Sequence, residues 1–286
     1  MNPEPFARAE HPKAVGSARP KPTDLESFGR VIDRALEAGG AILRRRFGRV
    51  RARYKGRANP LTQADLESQK AVLGIIHRAF PSHDWLAEEK SRRQSGSDFL
   101  WIVDPLDGTV NYAHGYPVSS VSIAVLHRGR LLAAGVHDPF RQESFTAQAG
   151  RGARLNGRPM RVSKVRRLAQ SLVVTGFPYD RAQKAAFYAG VVRKFLPRCH
   201  DIRRSGSAAL DMAWIAAGRS DGYWEWSLGP WDVAAGILLV REAGGKATDF
   251  SGRALEEPSQ FGPQTMASNG LIHGQMLKLL RSRARG

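Results

Sequence analysis

The stretch LWIVDPLDGT, residues 100–109, decides how this chain folds and what it can bind. Its apolar start predicts a buried strand, and two carboxylates, Asp104 and Asp107, come directly after it. Pro105 fixes a backbone torsion and removes a donor, so both acids are expected to leave a stiff turn towards one place. Hard divalent cations prefer such oxygen ligands, and the Gly-Thr pair that follows can offer backbone N–H groups to an anion. The sequence therefore predicts that a metal and a phosphate meet at this turn.

The same string also occurs in ordinary surface turns, because Asp, Pro and Gly are common turn formers. Further acids favour the metal interpretation. Glu88 follows the short apolar run WLA, Asp65 lies in the segment NPLTQAD, and Asp232 lies in the segment GPWD. Each of them sits where a strand or a helix is expected to begin or end, which is where a metal centre built from several segments needs its ligands.

From Thr23 to the C-terminal helix the chain resembles the inositol monophosphatases, and within them the bacterial members. The first signature of that family matches residues 101–114 and continues through 121–124. The second matches residues 231–236 and runs on to 242–245. The resemblance implies a mixed α/β (α+β) fold, a layered α-β-α-β-α sandwich of the inositol monophosphatase and fructose bisphosphatase type, usually assembled as a homodimer.

Three regions are expected along the chain. Residues 1–22 hold five prolines and few large apolar side chains, which predicts a disordered N-terminal arm. Residues 23–165 are predicted to form an N-terminal α+β half that carries most metal ligands. Residues 166–286 are predicted to form a C-terminal α/β half that carries Asp232 and the residues that contact substrate.

The resemblance also implies roles for individual residues. It implies Mg²⁺ as cofactor, as two or three ions, held by Glu88, Asp104, the Leu106 carbonyl, Asp107 and Asp232. It implies catalytic roles for Glu88, Asp65 and Thr109: a metal-activated water attacks phosphorus directly, and the last two residues orient or deprotonate it. The implied substrate contacts are Asp107, Gly108, Thr109, Gly206, Ser207, Ala208, Glu225 and Asp232. Phosphoryl transfer needs mostly positioning and charge compensation, so no cysteine or serine nucleophile is required.

The expected reaction is hydrolysis of myo-inositol monophosphate to inositol and phosphate. Glu225 matches the family position that hydrogen-bonds the hydroxyls of the inositol ring, and a carboxylate there suits a polyol. The alternatives on the same scaffold are phosphatase activities on histidinol phosphate, fructose 1,6-bisphosphate or 3′-phosphoadenosine nucleotides. Ser207 has a second interpretation, as the cap of the helix that follows it. Asn59 stands where the family often has aspartate, which weakens the case for a third metal site that relies on that loop.

Composition adds a rival class of function. The chain of 286 residues carries a formal net charge of +18 and a pI near 10.8, and clustered arginines raise the possibility of an RNA-associated regulatory protein on the same fold. Its clusters lack interleaved aromatic residues, so nucleic-acid binding is expected to be weak, and steering of an anionic phosphate ester is the simpler use of the charge. No apolar run is long enough to span a bilayer, and the single cysteine, Cys199, suits a reducing cytoplasm.

Local patterns predict several elements. A capping box beginning at Thr23 predicts a first helix to about residue 47, and Thr62 is predicted to cap a second helix with Asp65 in its first turn. A hairpin is expected around Gly129. Pro230 is predicted to open the helix that carries Asp232.

Overall fold

The computed structural model describes residues 22–49, 53–54, 60–89 and 91–282. On these residues the protein is a mixed α/β fold with two large sheets. The described α-helices are α1 (Pro22–Arg46), α2 (Gln63–Ala79), α3 (Thr109–Ala113), α4 (Arg181–Phe195), α5 (Ala208–Ala216), α6 (Pro230–Glu242) and α7 (His273–Arg281). The described strands are β1 (Arg53–Tyr54), β2 (Pro60–Leu61), β3 (Asp84–Ala87), β4 (Arg92–Arg93), β5 (Phe99–Asp107), β6 (Ser120–His127), β7 (Arg130–Asp138), β8 (Glu143–Gln148), β9 (Ala153–Leu155), β10 (Arg158–Met160), β11 (Leu172–Thr175), β12 (Asp201–Arg203), β13 (Gly222–Trp226), β14 (Lys246–Thr248) and β15 (Gln264–Ser268).

The larger sheet has eight strands in the order β10-β9-β8-β7-β6-β5-β3-β4. Strands β3 and β5 pair in parallel, and the other neighbours are antiparallel. The smaller sheet has five strands in the order β12-β11-β13-β15-β14, with β11 parallel to both β12 and β13. A separate two-stranded ribbon joins β1 and β2.

Side chains of the larger sheet alternate between two buried cores, as a pleated strand requires. Trp101 and Val103 point into one core together with residues of α1 and α2. Ile102 and Ala124 point into the other core together with residues of α5 and α6. Trp101 has no exposed surface, and truncating a core aromatic of this kind to alanine typically costs about 3–5 kcal/mol. Helices therefore cover both faces of this sheet.

The smaller sheet also separates two cores. Val174 and Tyr223 face α5 and α6, while Val173 and Trp224 face a third core with residues of α4 and α7. The layers are thus α1/α2, the larger sheet, α5/α6, the smaller sheet and α4/α7. This is the five-layer α-β-α-β-α sandwich that the resemblance implied. Along the described residues, none of the helices has the combined length and apolar character needed to cross a bilayer.

Local predictions can be compared with these elements. Thr62 is the N-cap of α2, with its hydroxyl accepting from the backbone N–H of Ala64, and the hairpin of β6 and β7 turns at residues 128–129, both as predicted. Pro230 is the first residue of α6, also as predicted. The first helix, predicted from Thr23 to about residue 47, is α1 at Pro22–Arg46, which begins one residue before the expected cap. Apart from that proline, the predicted arm of residues 1–22 lies outside the described residues, as does Asn59.

Candidate active site

Two of the predicted ligands, Asp104 and Asp107, lie on β5 at an irregularity in its pairing with β6. Asp104 pairs with Ser122 and Asp107 with Ser120, and regular pairing is interrupted between them. Pro105 lies in this interval, where its missing N–H does not break a ladder hydrogen bond. The expectation that both acids follow the strand in a turn is therefore wrong, because the strand continues through them. A bulge between the two acids, in place of a turn, lets both carboxylates face the same centre.

Three carboxylates converge at this point. Asp104, Asp107 and Asp232 each offer one oxygen, and these oxygens lie within 4.8 Å of one another. Asp232 arrives from the first turn of α6, where it accepts a hydrogen bond of 2.6 Å from the backbone N–H of Gly229. Residues more than a hundred positions apart in the chain are thereby brought to one centre, which we call the acidic centre.

The electrostatics of the acidic centre favour a bound cation. Burial raises the pKa of Asp104 well above its usual value, and the negative charges of Glu88, Asp107 and Asp232 raise it further. Burial, Asp107 and Glu88 likewise raise the pKa of Asp232 well above its usual value. One oxygen of Asp104, Oδ2, is buried without a hydrogen-bond partner. A divalent cation fits this donor set, since it would neutralise the mutual repulsion and occupy the orphaned oxygen.

Asp107 is tied into the fold more firmly than the other two acids. Its Oδ2 accepts hydrogen bonds from Ser207 Oγ at 2.5 Å and from the backbone N–H of Ala209 at 2.8 Å. Burial raises the pKa of Asp107, and these two donors counteract that rise. The Oδ2 atom is thus committed to α5.

Glu88 and Leu106 lie beside the acidic centre. Glu88 follows β3 directly, its backbone N–H donates to the Val103 carbonyl at 3.2 Å, and its side chain is half-buried. Its charge raises the pKa of both Asp104 and Asp232, although Glu88 is not among the three converging acids. The Leu106 carbonyl accepts a hydrogen bond from Thr109 Oγ1 at 3.0 Å and keeps a second lone pair.

Asp65 and Thr109 form a buried pair next to these groups. Thr109 Oγ1 lies 3.3 Å from Asp65 Oδ1, and its single proton can be donated either there or to Leu106. Asp65 also accepts from the backbone N–H and the hydroxyl of Thr62, at 2.8 and 2.6 Å. Burial nevertheless raises the pKa of Asp65 to about 6. The first turn of α2 therefore holds a carboxylate, Asp65, that titrates close to neutral pH.

The predicted substrate segment lies against this centre. Gly206 has a φ of +93°, and Gly108 approaches it so closely that a Cβ on Gly108 would lie 3.1 Å from the Gly206 carbonyl oxygen. Ala208 is the first residue of α5, and Ser207 occupies the N-cap position. Ser207 thus has the position that its second interpretation gave it, but its hydroxyl makes no cap bond and donates to Asp107 instead.

Glu225 lies on β13 at the edge of the same region. It is 7% exposed, and its Oε2 accepts a hydrogen bond of 2.6 Å from the Tyr223 hydroxyl. Burial raises the pKa of Glu225 to about 7, and the charge of Asp107 contributes in the same direction. The group can therefore accept hydrogen bonds when ionised and donate one when protonated.

Two residues near the site were missed by the sequence analysis. Asp211, on α5, is buried, its pKa is raised well above the usual value by burial, and its Oδ1 lacks a hydrogen-bond partner. The available signal was an acid within the apolar run from Ala208 to Ile215. Tyr179 is half exposed beside the acidic centre, and nothing in its sequence neighbourhood marks it.

The layered fold and the acidic centre are what the resemblance to a phosphatase family implied. A family model described as the inositol monophosphatase family matches residues 24–284. The chain belongs to the inositol monophosphatase family.

Individual relatives agree with this assignment. The chain is 42% identical to an inositol-1-monophosphatase from Synechocystis over 262 residues, which covers 91% of this chain and 90% of the relative. It is 43% identical to a protein named Nus factor SuhB from Escherichia coli over 226 residues, 78% of this chain and 85% of the relative. The solved structure of an inositol monophosphatase from Anabaena is similar with a TM-score of 0.81 and 40% identity, covering 90% of this chain and 96% of that one.

Proposed function

We propose that this chain is a Mg²⁺-dependent phosphomonoesterase that hydrolyses myo-inositol monophosphate to inositol and phosphate. The observation that carries the proposal is the convergence of Asp104, Asp107 and Asp232, whose oxygens lie within 4.8 Å of one another and whose pKa values are raised; the first two are buried and Asp232 is half-buried. Such a cluster is unfavourable without a cation, and family membership makes a phosphate ester the natural partner of that cation.

The residues that would hold Mg²⁺ are Asp104, Asp107, Asp232 and Glu88, with the Leu106 carbonyl. When bound, divalent cations lower the pKa of water and neutralise charge that develops on the transferring phosphoryl group. Oxygen ligands on a rigid strand and a helix start suit Mg²⁺, which demands near-octahedral geometry. The second lone pair of the Leu106 carbonyl and the free Oδ2 of Asp104 are the atoms available for this role.

Thr109 and Asp65 would handle the attacking water. When Thr109 Oγ1 donates to Asp65, its lone pairs remain available to accept a hydrogen bond from that water and so orient it. With a pKa of about 6, Asp65 is mostly ionised at neutral pH and still basic enough to take up a proton. Both residues are buried, so bulk water does not compete for these hydrogen bonds.

Glu225 would hold the leaving alcohol. Its carboxylate can accept hydrogen bonds from a polyol. This feature favours inositol monophosphate over a 3′-phosphoadenosine nucleotide, since an adenine pocket gains little from a carboxylate. Histidinol phosphate and fructose 1,6-bisphosphate remain the other candidate substrates, because the acidic centre would bind the phosphate group that all of these esters share.

The test is turnover of a panel of these phosphomonoesters with and without Mg²⁺. We expect inositol monophosphate to have the highest kcat/KM, and preference for an adenosine bisphosphate would overturn the substrate assignment. Asp104→Asn should lower kcat by about a hundredfold or more while the protein stays folded by circular dichroism. The matched control is Glu37→Gln, which removes an exposed carboxylate of α1. Near-normal activity of Asp104→Asn would remove the metal assignment.

A second candidate function is a regulatory role in association with RNA. The net charge of +18 and the similarity to relatives named Nus factor SuhB favour it. Among the described arginines, Arg44 and Arg45 are exposed on the last turn of α1. Arg45 lies 3.7 Å from Glu67, and Arg46 pairs with the same carboxylate at 2.5 Å. Fluorescence anisotropy with labelled RNA tests this role. Binding that weakens by orders of magnitude between about 50 and 200 mM salt is incidental charge attraction, whereas binding that survives supports a dedicated interface.

A further inference from the structure

The segment GFPYDR, residues 176–181, lies at the edge of the acidic centre. It leaves the carboxyl end of β11, whose parallel neighbour β13 carries Glu225. Ligands of α/β sheets typically bind in the crevice outside the carboxyl ends of parallel strands. Gly176 packs directly on Glu225, because a Cβ on Gly176 would lie 2.0 Å from Glu225 Oε2. The segment therefore begins in contact with the group proposed to hold the leaving alcohol.

Tyr179 lies in this segment, three residues after Gly176. It is 51% exposed, and Arg181 lies over its ring, with the guanidinium carbon 5.7 Å from the ring centroid. Arg181 is itself held by a hydrogen bond of 3.3 Å from Nη1 to the Pro178 carbonyl. Burial of the phenol, followed by the charges of Glu88, Asp232, Asp107 and Asp104, raises the pKa of Tyr179. The ring is therefore half exposed in a segment that contacts Glu225, and its hydroxyl is protonated.

A simpler explanation would be that Tyr179 belongs to the aromatic cluster of this half. Phe187 is a fair comparison, since it is also 51% exposed. Phe187, however, contacts Tyr188 and Trp226 edge-on, with centroid distances of 5.3 and 5.2 Å. Among the aromatic contacts of the described residues, Tyr179 has no ring partner. Its exposed face is therefore not used by the packing of the described chain.

We propose that Tyr179 is a substrate-positioning residue whose ring packs against the C–H face of a ring polyol while Glu225 accepts hydrogen bonds from its hydroxyls. A cyclic polyol has an apolar face of C–H groups and a polar rim, and an aromatic ring together with a carboxylate can match both. The inference rests on the proposed phosphatase function and assigns to Tyr179 the discrimination of a cyclic polyol from a linear alcohol.

The experiment compares Tyr179→Ala, Tyr179→Phe and Phe187→Ala on two esters, inositol 1-phosphate and the acyclic glycerol 2-phosphate. We expect Tyr179→Ala to raise KM for inositol 1-phosphate about five- to tenfold with little change in kcat, and to leave glycerol 2-phosphate unchanged. Tyr179→Phe keeps the ring and should behave like the unaltered protein, and so should Phe187→Ala. Calorimetric binding of myo-inositol in the presence of phosphate should weaken by the same factor in Tyr179→Ala.

Two kinds of result would overturn the inference. Equal losses on both esters, or no loss on either, would show that the ring does not recognise the polyol face. An equal loss in Phe187→Ala would assign the effect to the aromatic cluster. The proposed function fails separately: the unaltered protein would then show no Mg²⁺-dependent turnover of either ester, and the inference would fall with it. Thermal unfolding of each variant establishes that the comparison is made on folded protein.

Discussion

Ser207 Oγ donates a 2.5 Å hydrogen bond to Asp107 Oδ2, joining the start of α5 to the end of β5 across 100 positions of the chain. The backbone N–H of Ala209 donates to the same oxygen. A serine at an N-cap position would ordinarily bond its own helix. Here the helix start and its serine together hold an acid of the proposed metal site, so α5 takes part in setting the charge state of Asp107.

Ser207→Ala should therefore weaken Mg²⁺ binding. Loss of the hydroxyl removes a donor that lowers the pKa of Asp107, so the proton competes better with the metal. A hydrogen bond to a charged group is worth about 1.5–3 kcal/mol, and only the part that opposes protonation of Asp107 enters metal binding, so we expect the Kd for Mg²⁺ to rise by up to about tenfold. Calorimetric titration with Mg²⁺ measures the Kd of the variant and of the unaltered protein. Ser251→Ala is the control, because Ser251 donates to Asp249 at 2.7 Å on the surface; equal Mg²⁺ affinity in both variants would contradict the argument.

Gly176→Ala should impair substrate binding through Glu225. The new methyl group would lie 2.0 Å from Glu225 Oε2, so the carboxylate must move. We expect KM for inositol 1-phosphate to rise several-fold and the free energy of unfolding to fall by about 1–3 kcal/mol, as for other overpacked sites. KM measurements and urea unfolding test this.

Gly190→Ala is the matched control for that variant. Gly190 lies in α4, and a Cβ there meets nothing within 4 Å. Replacing glycine in a helix at such a position should stabilise the protein by about 0.4–1 kcal/mol and leave KM unchanged. If both variants behaved alike, the close packing of Gly176 on Glu225 would have no functional role.

Local chemistry made part of this structure predictable. Thr62 and Asp65 indicate the start of α2, because a capping box is formed by residues within a four-residue stretch. Pro230 indicates the start of α6, because proline is favoured at the first helical position. The family resemblance supplied the layers, which no local pattern contains. The two acids of β5 were correctly associated with each other but assigned to a turn, because a bulge depends on the partner strand.

Other features of the site depend on contacts between distant segments. Ser207 looks like an ordinary cap until β5 brings Asp107 to it. Asp211 looks like an exposed acid until both faces of α5 are covered. Tyr179 carries no local signal at all, because its proximity to the acidic centre follows only from the position of β11 beside β13. Sequence patterns therefore indicated which residues carry chemistry better than they indicated what each residue contacts.

Glu225 predicts a pH dependence of stability. Its pKa is about 7 in the folded protein and near 4.5 in the unfolded chain, so the folded state binds the proton more tightly. The stabilising effect of protonation is complete below about pH 4.5, and it is lost as the pH rises to about 7. Glu225→Gln should therefore stabilise the metal-free protein at about pH 8, on the order of 3 kcal/mol, with the difference vanishing near the lower pH.

Urea unfolding at both pH values, in the presence of a chelator, measures this difference. The amide oxygen of glutamine can accept the hydrogen bond that the Tyr223 hydroxyl donates, so this hydrogen bond is retained. Glu256→Gln, which alters an exposed carboxylate, should change stability little at either pH. A Glu225→Gln protein that is less stable at about pH 8 than the unaltered chain would show that the carboxylate is not a destabilising buried charge.

Removal and return of Mg²⁺ should change stability in a way that depends on pH and on Asp104. Protons and cations compete for the same carboxylates, whose pKa values are raised, so Mg²⁺ should raise the melting temperature more at about pH 8 than at about pH 5.5. A cation at a hundred times its Kd stabilises by about 2.7 kcal/mol. In Asp104→Asn the stabilisation by Mg²⁺ should disappear. Without metal at about pH 8, the variant should be at least as stable as the unaltered protein, because it lacks one buried charge with an unpartnered oxygen. Calorimetric melting of both proteins, with and without Mg²⁺, gives all of these values, and an undiminished Mg²⁺ effect in Asp104→Asn would place the ion elsewhere.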